Sequence, residues 1–147
     1  MKSSAINQLV ILLSNDQPAG QIRASRELKR LAETKSRFNG DQLRVIFDSL
    51  MELKHWESRL HICQMLSHLR IPRESAARVV CFLEQCLSEK NRFVRAWAYN
   101  GFYELARQHP EYREYFSEQL EVGKRETSVA VRARIRNIEN AMSSWRG

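Results

Sequence analysis

Glycine and proline are scarce in this chain, which has five Gly and three Pro among its 147 residues. The glycines, at positions 20, 40, 101, 123 and 147, never cluster, so the sequence contains neither a P-loop nor a dinucleotide-binding fingerprint. An α/β enzyme of this size normally needs more glycine for its tight turns and phosphate loops. The shortage therefore favours a helical fold and argues against a nucleotide-binding enzyme.

Motifs for nucleophilic catalysis and for metal binding are also missing. The sequence has no GxSxG, HExxH or CxxC pattern. His55, His61, Cys63 and His68 are the only grouped metal-ligand types, and their spacing matches no zinc site. We therefore expect no catalytic residue, no bound metal and no cofactor, and we predict that the chain is not an enzyme.

Long apolar runs are absent as well. No stretch approaches the roughly 20 apolar residues that a membrane-spanning helix needs. The apolar run at residues 9–13 is short for a secretion signal, and no cleavage site of small residues follows it. Cys63, Cys81 and Cys86 are odd in number and lie in apolar segments, which is typical of reduced thiols in a protein core. We expect a soluble, cytoplasmic protein that does not contact membranes.

The overall composition points to one folded domain that covers residues 1–147. Hydrophobic residues make up 43% of the chain and charged residues 28%, which are the proportions of a globular protein that buries its own core. The formal net charge is +7, and 18 of the 24 basic residues are arginine. A basic balance raises the expectation of an acidic protein partner or a nucleic acid.

Helical periodicity runs through the whole chain. Apolar residues recur at the three- and four-residue spacing that places them on one side of a helix, and no segment alternates as a strand does. The pattern predicts eight helices, over residues 3–14, 18–34, 40–53, 56–69, 73–88, 91–107, 111–122 and 127–143.

These helices repeat in pairs. The position that opens the apolar stripe recurs at separations of 38, 36 and 37 residues. The residues at this position are Ala24, Ile62, Ala98 and Ile135. Pro72 and Pro110 lie 38 residues apart, each where the second helix of a pair begins. A period near 37 with two helices in each unit is typical of an α-solenoid.

The third and fourth units resemble HEAT repeats, which are related to armadillo repeats. The first-helix motif is Val94-Arg95-x-x-Ala98-x-x-x-Phe102-x-x-Leu105, and Val131-Arg132-x-x-Ile135 repeats its first half. The resemblance implies an all-α fold, a right-handed α-α superhelix (solenoid) of about four HEAT-like helical hairpins. It also implies that successive hairpins pack against their neighbours.

A recurring arginine belongs to the same motif. Arg59, Arg95 and Arg132 each lie three residues before the stripe position, and Glu89 and Glu126 lie six residues before the last two arginines. The resemblance implies that these arginines pair with acidic groups of the same or the adjacent repeat. The first two repeats depart from the pattern, because Gln21 takes the arginine position in one and Leu53 takes the acidic position in the other.

The second helix of each pair supplies the candidate binding residues, because these helices line the concave surface in proteins of this resemblance. Arg44, Arg78 and Arg113 recur at intervals of 34 and 35 residues, one on each second helix. Val45 and Phe82 fall outside the apolar stripes of their helices, so we expect them on the same surface. Together these five residues predict a basic groove with exposed apolar side chains.

The leading interpretation is a non-catalytic scaffold or adaptor that binds a protein or peptide partner on its concave face. The alternative is a nucleic-acid-binding protein that resembles the HEAT-like DNA alkylation-repair proteins and uses a basic concave groove, in which case binding must weaken steeply with salt. A subunit completed by partner repeats is a third possibility. The sequence leaves the oligomeric state open.

Overall fold

The computed structural model describes the backbone of residues 2–146 and the side chains of residues 3–145, and it is all-α. No strand occurs in that part of the chain. The helices are α1 (Lys2–Ser14), α2 (Pro18–Glu33), α3 (Gly40–Asp48), α4 (Trp56–Met65), α5 (Ala76–Leu87), α6 (Arg92–Gln108), α7 (Arg113–Gly123) and α8 (Val129–Met142). The prediction of eight helices is confirmed.

Local sequence signals explain where the helices begin. The side chains of Asn39, Asn91 and Ser128 each accept a hydrogen bond from a free amide in the first turn of α3, α6 and α8. Two predicted helices are shorter than expected, because their last turns tighten into 3-10 segments at Leu50–Glu52 and Leu66–His68.

The helices form two rows. The even-numbered helices α2, α4, α6 and α8 lie side by side, and each packs extensively against the next one. The odd-numbered helices cover them, with α1 against α2 and α3, α5 against α6, and α7 against α6 and α8. Helices two apart in the chain are thus neighbours, as expected when hairpins of similar length stack. The right-handed superhelical path stays a prediction.

The repeated stripe position lies in the centre of the core. Ala24, Ile62, Ala98 and Ile135 are all buried, which confirms the register inferred from the sequence. Four phenylalanines are almost completely buried between the rows, and each contributes about 1.5–3 kcal/mol relative to an exposed side chain. They are Phe47, Phe82, Phe102 and Phe116.

An ion pair links each of two even-numbered helices to the loop before the next one. Arg59 Nη1 lies 2.7 Å from Glu89 Oε2, and Arg95 Nε lies 2.7 Å from Glu126 Oε2. The arginine side chains are only 22% and 20% exposed, so water screens these pairs less than surface pairs. The pairing expected for the recurring arginine is therefore confirmed at both positions.

The third arginine of the series makes the backbone contacts of the motif. Arg132 Nη1 donates to the carbonyl oxygens of Glu126 at 2.9 Å and Thr127 at 2.8 Å. Arg95 Nη1 donates to the two equivalent carbonyls of the preceding loop, both at 2.9 Å. Each of these arginines therefore fixes the loop that enters its own helix.

In the first unit Gln21 occupies the position of this arginine. The next loop has Leu53 where the other units have a glutamate, and Gln21 bonds the backbone of that loop instead. Its Nε2 donates to the carbonyls of Asn15 at 2.7 Å and Glu52 at 2.8 Å, and its Oε1 accepts from the amide of Lys54 at 3.2 Å. Leu53, at the acidic position between these two partners, is buried. A neutral side chain thus bonds the backbone of the next loop where no carboxylate exists.

Replacing Arg95 by alanine should lower the free energy of unfolding by about 2–3 kcal/mol, because the carboxylate of Glu126 and two backbone carbonyls lose a charged donor. Urea denaturation of Arg95→Ala, Glu126→Ala and the double variant measures the coupling between the two side chains. Arg44→Ala is the control, since Arg44 pairs with Asp41 on the exposed surface and should change stability by less than about 0.5 kcal/mol. A coupling close to zero would contradict a stabilising role for the ion pair.

Gly123→Ala should destabilise the protein by about 1–3 kcal/mol through overpacking. A Cβ atom at this position would lie 2.6 Å from Cδ1 of Ile135 and 2.7 Å from Cζ of Tyr99, both of them buried side chains. Gly40→Ala is the matched control, because its Cβ would meet no atom within 4 Å. Thermal unfolding compares the two variants, and equal stabilities would show that α7 and α8 do not approach so closely.

Candidate functional site

Two of the predicted basic residues on the odd-numbered helices are exposed but already paired. Arg44 Nη2 lies 3.3 Å from Asp41 Oδ1 within α3. Arg78 of α5 forms an ion pair with Asp48 of α3. Neighbouring carboxylates therefore offset the charges that were expected to attract an acidic partner.

The third predicted arginine is held by an aromatic ring. The guanidinium of Arg113 lies 4.5 Å from the ring centroid of Trp145, which also stacks on Tyr103 at 5.2 Å. Helices α3, α5 and α7 with their adjoining 3-10 turns, residues 40–52, 73–87 and 110–123, contain nine acidic and only four basic residues. Acidic residues thus outnumber basic ones on these helices, and the binding role expected for Arg44, Arg78 and Arg113 stays a prediction.

The apolar part of the predicted site is not available either. Phe82 is fully buried, so the expectation that it faces a partner is wrong. It shares the core side of α5 with Val79 and Leu83, whereas Val80 is only half-buried. Val45 is half-buried and packs against the core. Phe82 therefore belongs to the buried side of α5.

The basic excess lies outside these odd-numbered helices. The remainder of the chain contains twenty basic and eight acidic residues. Two positions of each even-numbered helix, one residue before and two residues after the buried stripe position, lie at least partly exposed. We call this surface the even-helix face; it consists of Arg23, Arg26, His61, Gln64, Trp97, Asn100, Arg134 and Asn137.

Contacts between helices organise the even-helix face. The guanidinium of Arg134 on α8 lies 3.9 Å from the ring centroid of Trp97 on α6, a cation–π contact. Burial lowers the pKa of Arg134, although the group remains charged at neutral pH. On the opposite side, Arg26 of α2 lies 3.5 Å from Glu57 of α4. Cations therefore flank this face at both of its ends.

The centre of the even-helix face is neutral but polar. His61 Nδ1 lies 2.8 Å from the hydroxyl of Ser25, which also lies 3.0 Å from the carbonyl of Ile22. Burial lowers the pKa of His61; the charge of Glu57 opposes this shift, and the charges of Arg26 and Lys29 reinforce it. The imidazole is therefore uncharged at neutral pH. The side chains next to it along the face are the amides of Gln64, Asn100 and Asn137.

The described side chains give no sign of a metal centre. Among residues 3–145, no three His, Cys, Asp or Glu side chains converge as metal ligands do. Cys63 and Cys86 are buried with their sulfur atoms 3.8 Å apart, and burial raises the pKa of Cys63. Cys81 is exposed, so its assignment to the core is corrected.

Comparisons with known proteins add no relatives. No protein-family model matches the chain, and the searches of curated proteins and of solved structures found no match. Within residues 2–146, no helix combines the length and the hydropathy that crossing a membrane requires.

The lowered pKa of His61 predicts a loss of stability in acid. The folded protein binds fewer protons than the unfolded chain once the pH falls below the unfolded value of about 6.5. The free energy of unfolding should therefore decrease as the pH falls from there through the folded-state pKa.

Urea unfolding at about pH 7.5 and 5.5, on either side of that value, measures the decrease. His61→Gln keeps a polar side chain without the titration, so its stability should depend less on pH than that of the wild type. Identical pH dependence in the two proteins would show that another group is responsible.

Proposed function

We propose that this chain is a non-catalytic binding module, a scaffold or adaptor of about four HEAT-like hairpins, which holds an acidic, extended segment of a partner protein on its even-helix face. The observation that carries the proposal is that three of the eight positions of this face are arginine and none is acidic, although Glu57 of α4 lies 3.5 Å from Arg26. The surrounding chain has a large basic excess, whereas the odd-numbered helices have an acidic one. An acidic partner is therefore attracted to one side of the protein and repelled from the other.

The packing of the two rows supports this choice of face. The even-numbered helices contact one another extensively throughout the row, whereas contacts between α5 and α7 are few. A two-row stack that is tighter on one side bends toward that side. The even-helix face then lies on the inside of a right-handed superhelix, where a long segment gains contacts with several helices at once.

The chemistry of the face favours a polypeptide over a phosphate backbone. The central amides of Gln64, Asn100 and Asn137 both donate and accept hydrogen bonds. An extended peptide offers backbone N–H and C=O groups in alternation, so both capacities are used. A phosphate chain only accepts and needs a continuous row of cations, which the neutral centre of this face interrupts. Acidic side chains of the peptide then meet Arg23 and Arg26 at one end and Arg134 at the other.

Nucleic acid is the second candidate because of Trp97. Its ring is only half-buried and is held by Arg134, an arrangement that also suits stacking with an unpaired base. A basic groove of this kind would resemble that of the HEAT-like DNA alkylation-repair proteins. The two candidates differ in salt dependence, since binding to phosphates falls steeply as salt rises.

The cytoplasm is the compartment that we propose for this module. Cys63 and Cys86 touch without being bonded, and Cys81 is exposed. Such free thiols persist most readily in a reducing compartment.

Fluorescence anisotropy with three labelled probes tests the proposal: a peptide of alternating Asp and Ser, a DNA duplex and a DNA single strand. Each is titrated at about 50 and 200 mM salt. We expect the peptide to bind, and the double charge reversal Arg26→Glu/Arg134→Glu to weaken it by about tenfold or more, a change of at least about 1.4 kcal/mol.

The matched control is Arg44→Glu/Arg78→Glu, which makes the same change of charge on the odd-numbered helices. It should leave peptide binding within about twofold of the wild type, because long-range charge effects are screened in salt. Equal weakening of peptide binding by both double variants would show that the peptide is held by non-specific electrostatic attraction. Tighter, steeply salt-dependent binding of either DNA probe would favour the second candidate, and absence of binding by all probes would refute both.

A further inference from the structure

A separate groove runs along the edge where helices α4, α6 and α8 begin. One part, of about 940 Å³, lies between the first turns of α6 and α8. A second part, of about 680 Å³, lies between the first turn of α4 and the loop that enters α6. The two parts share Lys90 and Asn91 and therefore form one surface, which we call the edge groove.

Exposed apolar side chains concentrate on the edge groove. Trp56 is 38% exposed, Phe93 47% and Val129 69%, and each lies in the first turn of a different even-numbered helix. These are three of the six large apolar side chains that are exposed among residues 3–145. Such clustering is typical of an interaction site, whereas single exposed apolar residues need no explanation.

The charges that are free in the edge groove are positive. Glu89, the carboxylate among its lining residues, is held by Arg59, and Arg95, which also lines the groove, is held by Glu126. Lys90 and Arg92 are exposed at the rim, and neither has a carboxylate within ion-pair distance in the described part of the chain. The guanidinium of Arg92 lies 5.0 Å from the ring centroid of Phe93, so cation and apolar surface are adjacent.

The helix ends themselves are not vacant anion sites. Asn91 accepts hydrogen bonds from the amides of Phe93 at 2.9 Å and Val94 at 3.2 Å. Ser128 accepts from the amide of Val131 at 3.3 Å. Side-chain caps thus already use amides that would otherwise bind an anion, so apolar surface and exposed cations define the chemistry of the groove.

We propose that the edge groove binds an extended segment of a partner protein that has an apolar side chain at about every third residue and acidic residues between them. Neighbouring packed helices lie about 8–10 Å apart. A segment in the polyproline II conformation has three residues per turn and rises about 3.1 Å per residue, so side chains three residues apart lie on the same side, about 9 Å from one another. Trp56, Phe93 and Val129 each receive one apolar side chain. Acidic side chains of the segment pair with Lys90 and Arg92.

This site goes beyond the even-helix face and does not depend on it. The residues that carry it lie on the helix ends and in the loop before α6, and none belongs to the even-helix face. The ligands also differ, because the even-helix face needs no apolar anchor. Variants of one surface therefore leave the other in place, and the two proposals can fail separately.

Selection from a phage-displayed library of random nonapeptides tests the proposal. The library is panned in parallel against the wild type and the double variant Lys90→Glu/Phe93→Ala, both substitutions being at exposed positions. We expect enrichment on the wild type of peptides with three apolar residues at three-residue spacing and with Asp or Glu between them. A labelled peptide from this selection should bind the double variant at least about tenfold more weakly in anisotropy.

Two further variants separate this groove from general effects. Ile11→Ala removes an exposed apolar side chain elsewhere, and Arg26→Glu/Arg134→Glu reverses charges on the even-helix face; both should bind the selected peptide within about twofold of the wild type. Circular dichroism of the double variant checks that it is folded. The proposal is overturned by selection of the same peptides on both targets, by absence of enrichment, or by enriched peptides that lack acids or the three-residue spacing.

Discussion

The tie between each even-numbered helix and the loop before the next one is the interaction on which the rest of the structure depends. Arg59 and Arg95 make this tie through carboxylates, and Gln21 makes it through the backbone. In each case one side chain fixes both the distance and the register between neighbouring hairpins. Hydrophobic packing alone would hold the helices together, but it is non-directional and permits sliding along the row. Equivalent positions line up across four helices because these polar contacts prevent such sliding.

Because the repeats are in register, equivalent residues of successive helices lie side by side and form surfaces that differ in charge. Once Ala98 is fixed in the core, helical geometry places Trp97 and Asn100 on the exposed side, and the same holds for the other three units. The net charge of +7 conceals this division, since an acidic excess on three odd-numbered helices partly cancels a larger basic excess elsewhere. Electrostatic attraction of a charged partner depends on such local excesses as well as on the net charge.

Periodicity predicted the helices and the core because both depend on spacing within a single segment. The ion pairs of Arg59 with Glu89 and of Arg95 with Glu126 were expected from the resemblance to HEAT repeats, because they join residues of different segments. The sequence placed the candidate binding residues on the odd-numbered row, because both rows are amphipathic and a single helix does not reveal which row packs more tightly. That depends on small residues such as Ala24, Ala98 and Gly101, which let the even-numbered helices approach one another and their covering helices.

The error at Phe82 has a different origin. Helix α5 has apolar residues on more than half of its circumference, so two overlapping stripes, through Val79 and Leu83 or through Val80 and Leu87, fit the sequence about equally well. Only contact with α6 decides between them, and the buried Phe82 belongs to the first. No pattern along the chain predicted the edge groove, because Trp56, Phe93 and Val129 are distant in sequence and meet only after the hairpins stack.

The ion pairs that align the hairpins also restrict what the edge groove can bind. Glu89, Arg59 and Arg95 line it, and a ligand that drew Arg59 away from Glu89, or Arg95 away from Glu126, would weaken the stack on which the groove depends. Acidic groups of a ligand are repelled by Glu89 and attracted by Lys90, which lies next to it in the chain. The segment must therefore point its apolar side chains inward and its acidic side chains outward. Stability of the stack and orientation of the ligand thus both depend on Glu89.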